Sequence, residues 1–383
     1  MQARKRLTAT LAAGALAAGL AAPALAATYV YVSNAEDGEL TTYTMQADGT
    51  LQPGPKVAVA KVVMPMTVSP DKRYLYAVSR FKPFSVYTYS INKGSGALTQ
   101  IGTAPTADSF PYISLDKTGR WLLGASYGGH LISVNAVGRD GKVAEKPTQV
   151  IPVGRNAHSI RVDASNKYAY VPTLGTDAIF QFKFDAKTGM LSSNTPAVAM
   201  MKAGTGPRHF VTSNDNKFLY LLNEMAGTVT TMALDGKTGL LTEVGTVSGL
   251  APDSKLVPGF PRGAVGAPGG PPPRDTSNDI WSADIHLTPN GKFLYISERT
   301  GSTINALSVD EATGKLAWQS ATPTETGPRG FRIDPKGRYM VVTGEKSQNI
   351  SVYAIDQGNG SLKSVGQYPT GKGANWVEIV SFD

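Results

Sequence analysis

The chain lacks cysteine altogether, and its 383 residues include only four histidines and four tryptophans. Without thiols there is no disulfide staple, no thiolate nucleophile and no Cys-ligated metal, so packing must stabilise the fold. His-x-His, His-Glu-x-x-His and carboxylate-rich loop patterns are missing too, which leaves a transition-metal or calcium site unsupported. No serine nucleophile is expected. Basic runs of five or more are absent, which argues against nucleic acid as a partner.

One apolar stretch stands near the N-terminus. Arg4, Lys5 and Arg6 form a basic n-region, Leu7 to Ala22 an Ala-rich apolar core, and Ala24-Leu25-Ala26 a small-x-small cleavage site. The stretch is too short and too Ala-rich for a membrane span. It reads as a secretory signal, residues 1–26, removed to leave a periplasmic protein of residues 27–383 with no stable membrane association. Taking those three cations from the 37 Lys+Arg leaves 34 against 29 Asp+Glu, so the formal charge of +8 falls to +5. A few arginines gathered in one place would still favour a small anion.

What the chain has in abundance is a repeat. An aromatic-apolar-aromatic lead, or a close variant, begins at Tyr29, Tyr74, Trp121, Tyr168, Phe218, Phe293 and Tyr339, at spacings of 45, 47, 47, 50, 75 and 46 residues. Most leads are followed by a polar break, a β-branched run and a Gly-containing turn. Alternation such as Phe180-Gln181-Phe182-Lys183-Phe184 marks strands rather than helices. The hairpin turns Asp185–Gly189, Asp235–Gly239 and Asp310–Gly314 recur, with looser versions at Asn92–Gly96 and Asp356–Gly360. A period of roughly 40 to 50 with strand alternation predicts an all-β, seven-bladed β-propeller with four-stranded antiparallel blades. The first blade starts partway through, at Thr28, and the terminal segment Trp376–Phe382 is expected to close the ring. The long spacing places an insertion at Leu250–Asp279, rich in Gly and Pro, on the face where strand 4 of each blade ends.

Strand 1 starts, strand 2 ends and strand 4 ends all fall on that face. Aligning the blades there gives one ring of Met66, Tyr112, His158, Arg208, Asp284, Arg329 and Asn375. A second ring holds Ala35, Arg80, Tyr127, Leu174, Glu224, Arg299 and Glu345. Packing positions repeat one residue type, whereas these vary and more than half are ionisable, as a ligand-facing site requires. His209 and His286 read as histidines packed beneath the rim, and His130 as a loop residue.

At these residues the chain resembles the β-propeller lactonase family, which includes bacterial 6-phosphogluconolactonase and fungal carboxymuconate cyclase. The resemblance is densest from Gly206-Pro207-Arg208-His209 onward, through Leu222-Asn223-Glu224, Ala283-Asp284-Ile285-His286, Glu298-Arg299-Thr300 and Gly327-Pro328-Arg329-Gly330. It implies a catalytic set of His158, Arg208, Glu224 and Arg299 without metal or cofactor, acting on a small anionic lactone or sugar acid. Arg329, Arg80, Asp284, Tyr127 and Glu345 would be further substrate contacts. Either Glu224 or His158 would take a proton from water. A muconate-type cycloisomerase and a non-catalytic periplasmic binding propeller are the alternatives.

Overall fold

The computed structural model describes residues 27–382; the expected signal segment lies outside the described residues. Twenty-eight strands form seven four-stranded antiparallel sheets arranged as propeller blades. Blade 1 is completed by the two ends of the described chain. Ala374–Phe382 is its innermost strand and pairs antiparallel with Ala27–Asn34, from Ala27↔Phe382 to Asn34↔Ala374. Blades 2 to 7 follow in chain order, each running from its innermost strand outward.

The repeat has a structural cause. In every blade the first aromatic of the lead packs on the glycine of the outer hairpin of the next blade, from Tyr29 on Gly96 round to Tyr339 on Gly49. A Cβ on Gly239 would come 2.1 Å from Tyr168 Cδ1, and Gly239 also has φ of 72°, so both space and conformation require glycine. The third position of the lead adds a hydrogen bond at the same place. Tyr31, Tyr76, Tyr170 and Tyr295 donate their hydroxyls to the carbonyls of Gly96, Gly141, Gly239 and Gly360 at 2.7 to 2.9 Å. Aromatic lead and glycine turn are two halves of one inter-blade joint. Between the blades, buried Val, Ile, Leu and aromatic side chains fill separate core clusters.

The long connection between blades 5 and 6 folds back onto the rim rather than extending away. Val257 bridges Asp279 in parallel, Ile280 N–H donates to Val257 O at 2.8 Å, and Gly259 N–H donates to Met225 O at 2.9 Å. Among the described residues no helix is long and apolar enough to cross a membrane.

Candidate active site

Bulges at the start of the innermost strands position the site. In blade 5, Pro207 pairs with Asn223 and Phe210 with Leu221, so Arg208 and His209 together face one residue. The extra residue sends two neighbouring side chains to different levels of the axis. Arg208 lines the wide cavity at the rim, and His209 lines a small void beneath it. Ser282/Ile285 in blade 6 and Val63/Met66 in blade 2 repeat the irregularity.

Strand pairing then fixes which residues form each layer. The upper layer is Met64, Pro111, His158, Arg208, Ala283, Arg329 and Asn375, and all except Ala283 line the rim cavity. The ring expected from sequence is one residue out of register in blades 3 and 6 and two out in blade 2. Tyr112 and Asp284 therefore lie a layer below, and Met66 opens toward a separate cavity. Asp284, expected as a substrate contact, is instead buried under the site. The second ring is placed as expected except for Leu174, which is fully buried in packing; Ala35, Arg80, Tyr127, Glu224, Arg299 and Glu345 line the cavity. The cavity measures about 530 Å³, within the size range of small-molecule sites.

Glu224 is the electrostatic centre. It follows the strand Phe218–Asn223, and its backbone N–H donates to Gly206 O at 2.7 Å. Arg208 Nε donates to its Oε2 at 2.5 Å; Arg299 Nη2 at 3.0 Å and the Trp281 indole N–H at 2.6 Å both donate to Oε1. Burial alone would raise the Glu224 carboxyl, but Arg208 and Arg299 outweigh it and hold the group below the ordinary carboxylate range. Arg208 also donates to Ala283 O. Burial lowers its pKa to about 9, which still leaves it charged at neutral pH. Arg299 lies 3.9 Å over the Trp281 ring, and its Nη1 is 3.8 Å from Glu345. Arg329 Nε reaches Glu345 at 3.3 Å.

Two buried polar atoms in the lining have no partner: Nδ1 of His158 and Nη1 of Arg329. They are two of eight such side-chain atoms among the described residues, and the two that line this cavity, where a ligand or water can satisfy them. Burial first, then Arg208, His209 and Arg329, push the His158 pKa well below its usual value, so its imidazole is neutral. Arg80 donates to Ser109 Oγ at 3.0 Å and contacts Met64 Sδ at 3.2 Å, with no carboxylate in ion-pair range among the described residues.

Beneath this layer Asp284 joins two histidines. Its Oδ1 is 2.9 Å from His209 Nδ1 and its Oδ2 is 3.0 Å from His286 Nε2. Burial opposes ionisation of Asp284, yet His286 and His209 outweigh it and keep the carboxyl well below its usual range. Burial, with Arg208 next, lowers His209 to about 3. With its proton on Nδ1 toward Asp284, His209 offers only Nε2 as acceptor to Arg208 Nη1, 3.1 Å away. His209 and His286 are thus packed histidines, as the sequence reading expects. His130 sits in a blade 3 turn and accepts the Asn156 N–H at 3.0 Å.

Several lining residues escaped the sequence reading. Trp281 and Arg262 come from the long connection, and Arg262 lies 4.4 Å over the Trp281 ring. Lys346 and Glu36 follow second-ring positions. A tryptophan directly before a strand, at the end of a Gly/Pro-rich insertion, was the available signal for Trp281. Gly124-Ala125-Ser126-Tyr127-Gly128 has the spacing of a nucleophile elbow. Here it spans a strand-to-strand turn rather than a strand-to-helix one, and Ser126 Oγ donates to Asp108 at 2.8 Å. Among the described residues no group of three or more acid and histidine side chains is disposed to hold a metal.

Sequence and fold match one family. Residues 24–379 fit the profile described as "Lactonase, 7-bladed beta-propeller", and the chain belongs to that family. It is 36% identical over 354 residues to the 6-phosphogluconolactonase of Pectobacterium carotovorum, covering 92% of this chain and 99% of the relative. It is likewise 36% identical over 352 residues to the 6-phosphogluconolactonase of Serratia proteamaculans, covering 92% and 98%. The solved structure of the periplasmic gluconolactonase of Pseudomonas aeruginosa has a TM-score of 0.80 and 26% identity, covering 92% of this chain and 99% of that one. The protein is an enzyme of the lactonase kind.

Proposed function

We propose that the protein opens an aldonolactone in the cavity bounded by His158, Arg208, Glu224, Arg299 and Arg329. Water adds to the lactone carbonyl carbon, the acyl–oxygen bond breaks, the ring oxygen leaves as a hydroxyl, and the product is a hydroxy acid. The observation that carries this reading is the pair of buried, unpartnered atoms on one cavity wall set, His158 Nδ1 and Arg329 Nη1. A neutral imidazole with a free acceptor can take the proton from water. A free guanidinium N–H can meet the developing oxyanion and then the product carboxylate.

Glu224 suits a different part. Arg208, Arg299 and the Trp281 indole already donate to its two oxygens, whereas Nδ1 of His158 has no partner among the described residues. The role of Glu224 is to brace Arg208 and Arg299, so that two buried cations stay in place around the reacting carbonyl. Arg80, Arg262 and Lys346 stand around the mouth without an ion pair among the described residues. That excess favours a lactone bearing a phosphate or carboxylate, in line with the names of the curated relatives. The periplasmic relative and the basic-apolar N-terminus support action outside the cytoplasm.

The test offers the purified mature protein glucono-δ-lactone and its 6-phosphate, followed by proton release, and a carboxymuconate, followed by absorbance. Opening of an aldonolactone well above the buffer rate, lost in His158→Gln, is expected. No lactone opened faster than in buffer would overturn the reading, and turnover of the muconate alone would replace it with a cycloisomerase.

A further inference from the structure

The connection between blades 5 and 6 builds a second chamber beside the first. It measures about 430 Å³, and Arg262 and Trp281 line both spaces, so these two residues belong to the wall the chambers share. Trp281 is fixed, with Glu224 on its indole N–H and Arg299 against its ring. Arg262 is exposed, lies over the same ring and makes no ion pair among the described residues. Rotation of that one side chain is the movement that would let one ligand reach both chambers.

The walls of the second chamber combine an aromatic face with a charged pair. Phe260 keeps 40% of its surface exposed although it is a large apolar side chain. Arg274 lies 5.2 Å over its ring, and Arg274 Nη1 is 2.6 Å from Asp279 Oδ1. Thr300, whose hydroxyl donates to Asp279 O at 2.6 Å, closes the polar end. An aromatic face next to a neutralised guanidinium–carboxylate pair suits a sugar ring, whose C–H face covers the aromatic while its hydroxyls exchange hydrogen bonds with the pair. Since Asp279 answers the charge of Arg274, the chamber calls for an uncharged ring rather than a second anion.

The structure assigns this chamber as a second sugar subsite: the enzyme opens lactones of oxidised disaccharides, with the lactone ring beside His158 and Arg329 and the second pyranose on Phe260. The inference rests on the lactonase reading above. The bond changes are those of simple lactone opening, and the glycosidic bond stays intact.

Steady-state hydrolysis of lactobiono-δ-lactone and glucono-δ-lactone, corrected for the buffer rate, tests the subsite. A kcat/KM at least about tenfold higher for the disaccharide lactone is expected, the size of one good apolar contact. Phe260→Ala should abolish that ratio through KM, and Phe260→Tyr, which keeps the ring, should retain it. Calorimetric binding of lactobionate to the wild type and to Phe260→Ala supplies a readout that needs no catalysis. If glucono-δ-lactone is opened and the ratio is near one, or if Phe260→Ala leaves it intact, the subsite is wrong. If no lactone is opened, the lactonase reading fails by itself; lactobionate binding that is absent or indifferent to Phe260→Ala then also removes the subsite.

Discussion

Glu224 accepts the indole N–H of Trp281 at 2.6 Å, which ties the long connection directly to the charged centre of the site. Trp281 immediately precedes the innermost strand Ser282–Leu287, so its placement follows from how the connection re-enters blade 6. Trp281→Phe keeps most of the stacking surface for Arg299 and removes only the donor. A hydrogen bond to a charged group contributes about 1.5–3 kcal/mol. We expect kcat to fall by about tenfold or more, with a cooperative unfolding transition retained. Unchanged kcat would show that Glu224 does not need this donor.

His158→Gln and Glu224→Gln separate the base from the brace. His158 loses no hydrogen bond at Nδ1, so its replacement should leave Tm nearly unchanged while lowering kcat by about 100- to 10,000-fold. Glu224→Gln removes the counter-charge of two buried arginines, and breaking such a pair costs about 3–5 kcal/mol. A clear drop in Tm should therefore accompany its loss of activity. A Glu224→Gln protein of full stability and no activity would return the base to Glu224.

The blade count and the turns were legible in the sequence because the inter-blade joint is repeated, and most residues of the candidate site were legible because they recur at fixed positions of that repeat. Tyr168 on Gly239 uses the same two residue types in the same phase as its six counterparts, so periodicity exposes it. Asp284 was misplaced because blades 5 and 6 share the bulge but not the residue before it: Pro207 corresponds to Ser282, not to the small residue Ala283. Ala283-Asp284 looks equivalent to Pro207-Arg208, whereas pairing with blade 6's second strand puts Asp284 at the position that His209 holds in blade 5. Trp281 and Arg262 were missed for another reason. They belong to the unrepeated connection, where no second copy marks the residues that turn inward.

Acid should destabilise the protein well before carboxylates titrate. His158 and His209 are both held below their usual pKa, His209 at about 3, against about 6.5 for an unfolded histidine. Below about pH 6.5 the unfolded chain takes up protons that the folded chain cannot bind, so stability present at neutral pH is lost as pH falls toward the depressed values. The slope is up to about 1.4 kcal/mol per pH unit for each histidine. Glu224 and Asp284, held below their ordinary values, act in the same direction at lower pH. Urea midpoints between pH 7 and 5 should fall, and His209→Gln should reduce the slope. A midpoint independent of pH across that range would contradict the neutral, buried state of both histidines.

Removing the last eight residues should cost the whole fold rather than one blade. Ala374–Phe382 pairs with Ala27–Asn34 along eight positions and is the strand on which ring closure depends. It buries Val377, Val380 and the ring of Trp376, whose indole N–H donates to Glu378 at 3.0 Å. Glu378 in turn accepts from Arg332 of blade 7 at 2.7 Å, so the strand also joins the last blade to the first. Its loss leaves an open edge on Ala27–Asn34 and uncovers the hydrophobic faces of two blades, a template for aggregation. Each blade needs both neighbours to cover its faces, so an opening between blades 1 and 7 spreads to both sides. A truncation ending at Asn375 is expected to lack a cooperative thermal transition and to accumulate as aggregate. A soluble truncated protein with wild-type Tm and activity would mean that the ring does not depend on this closure.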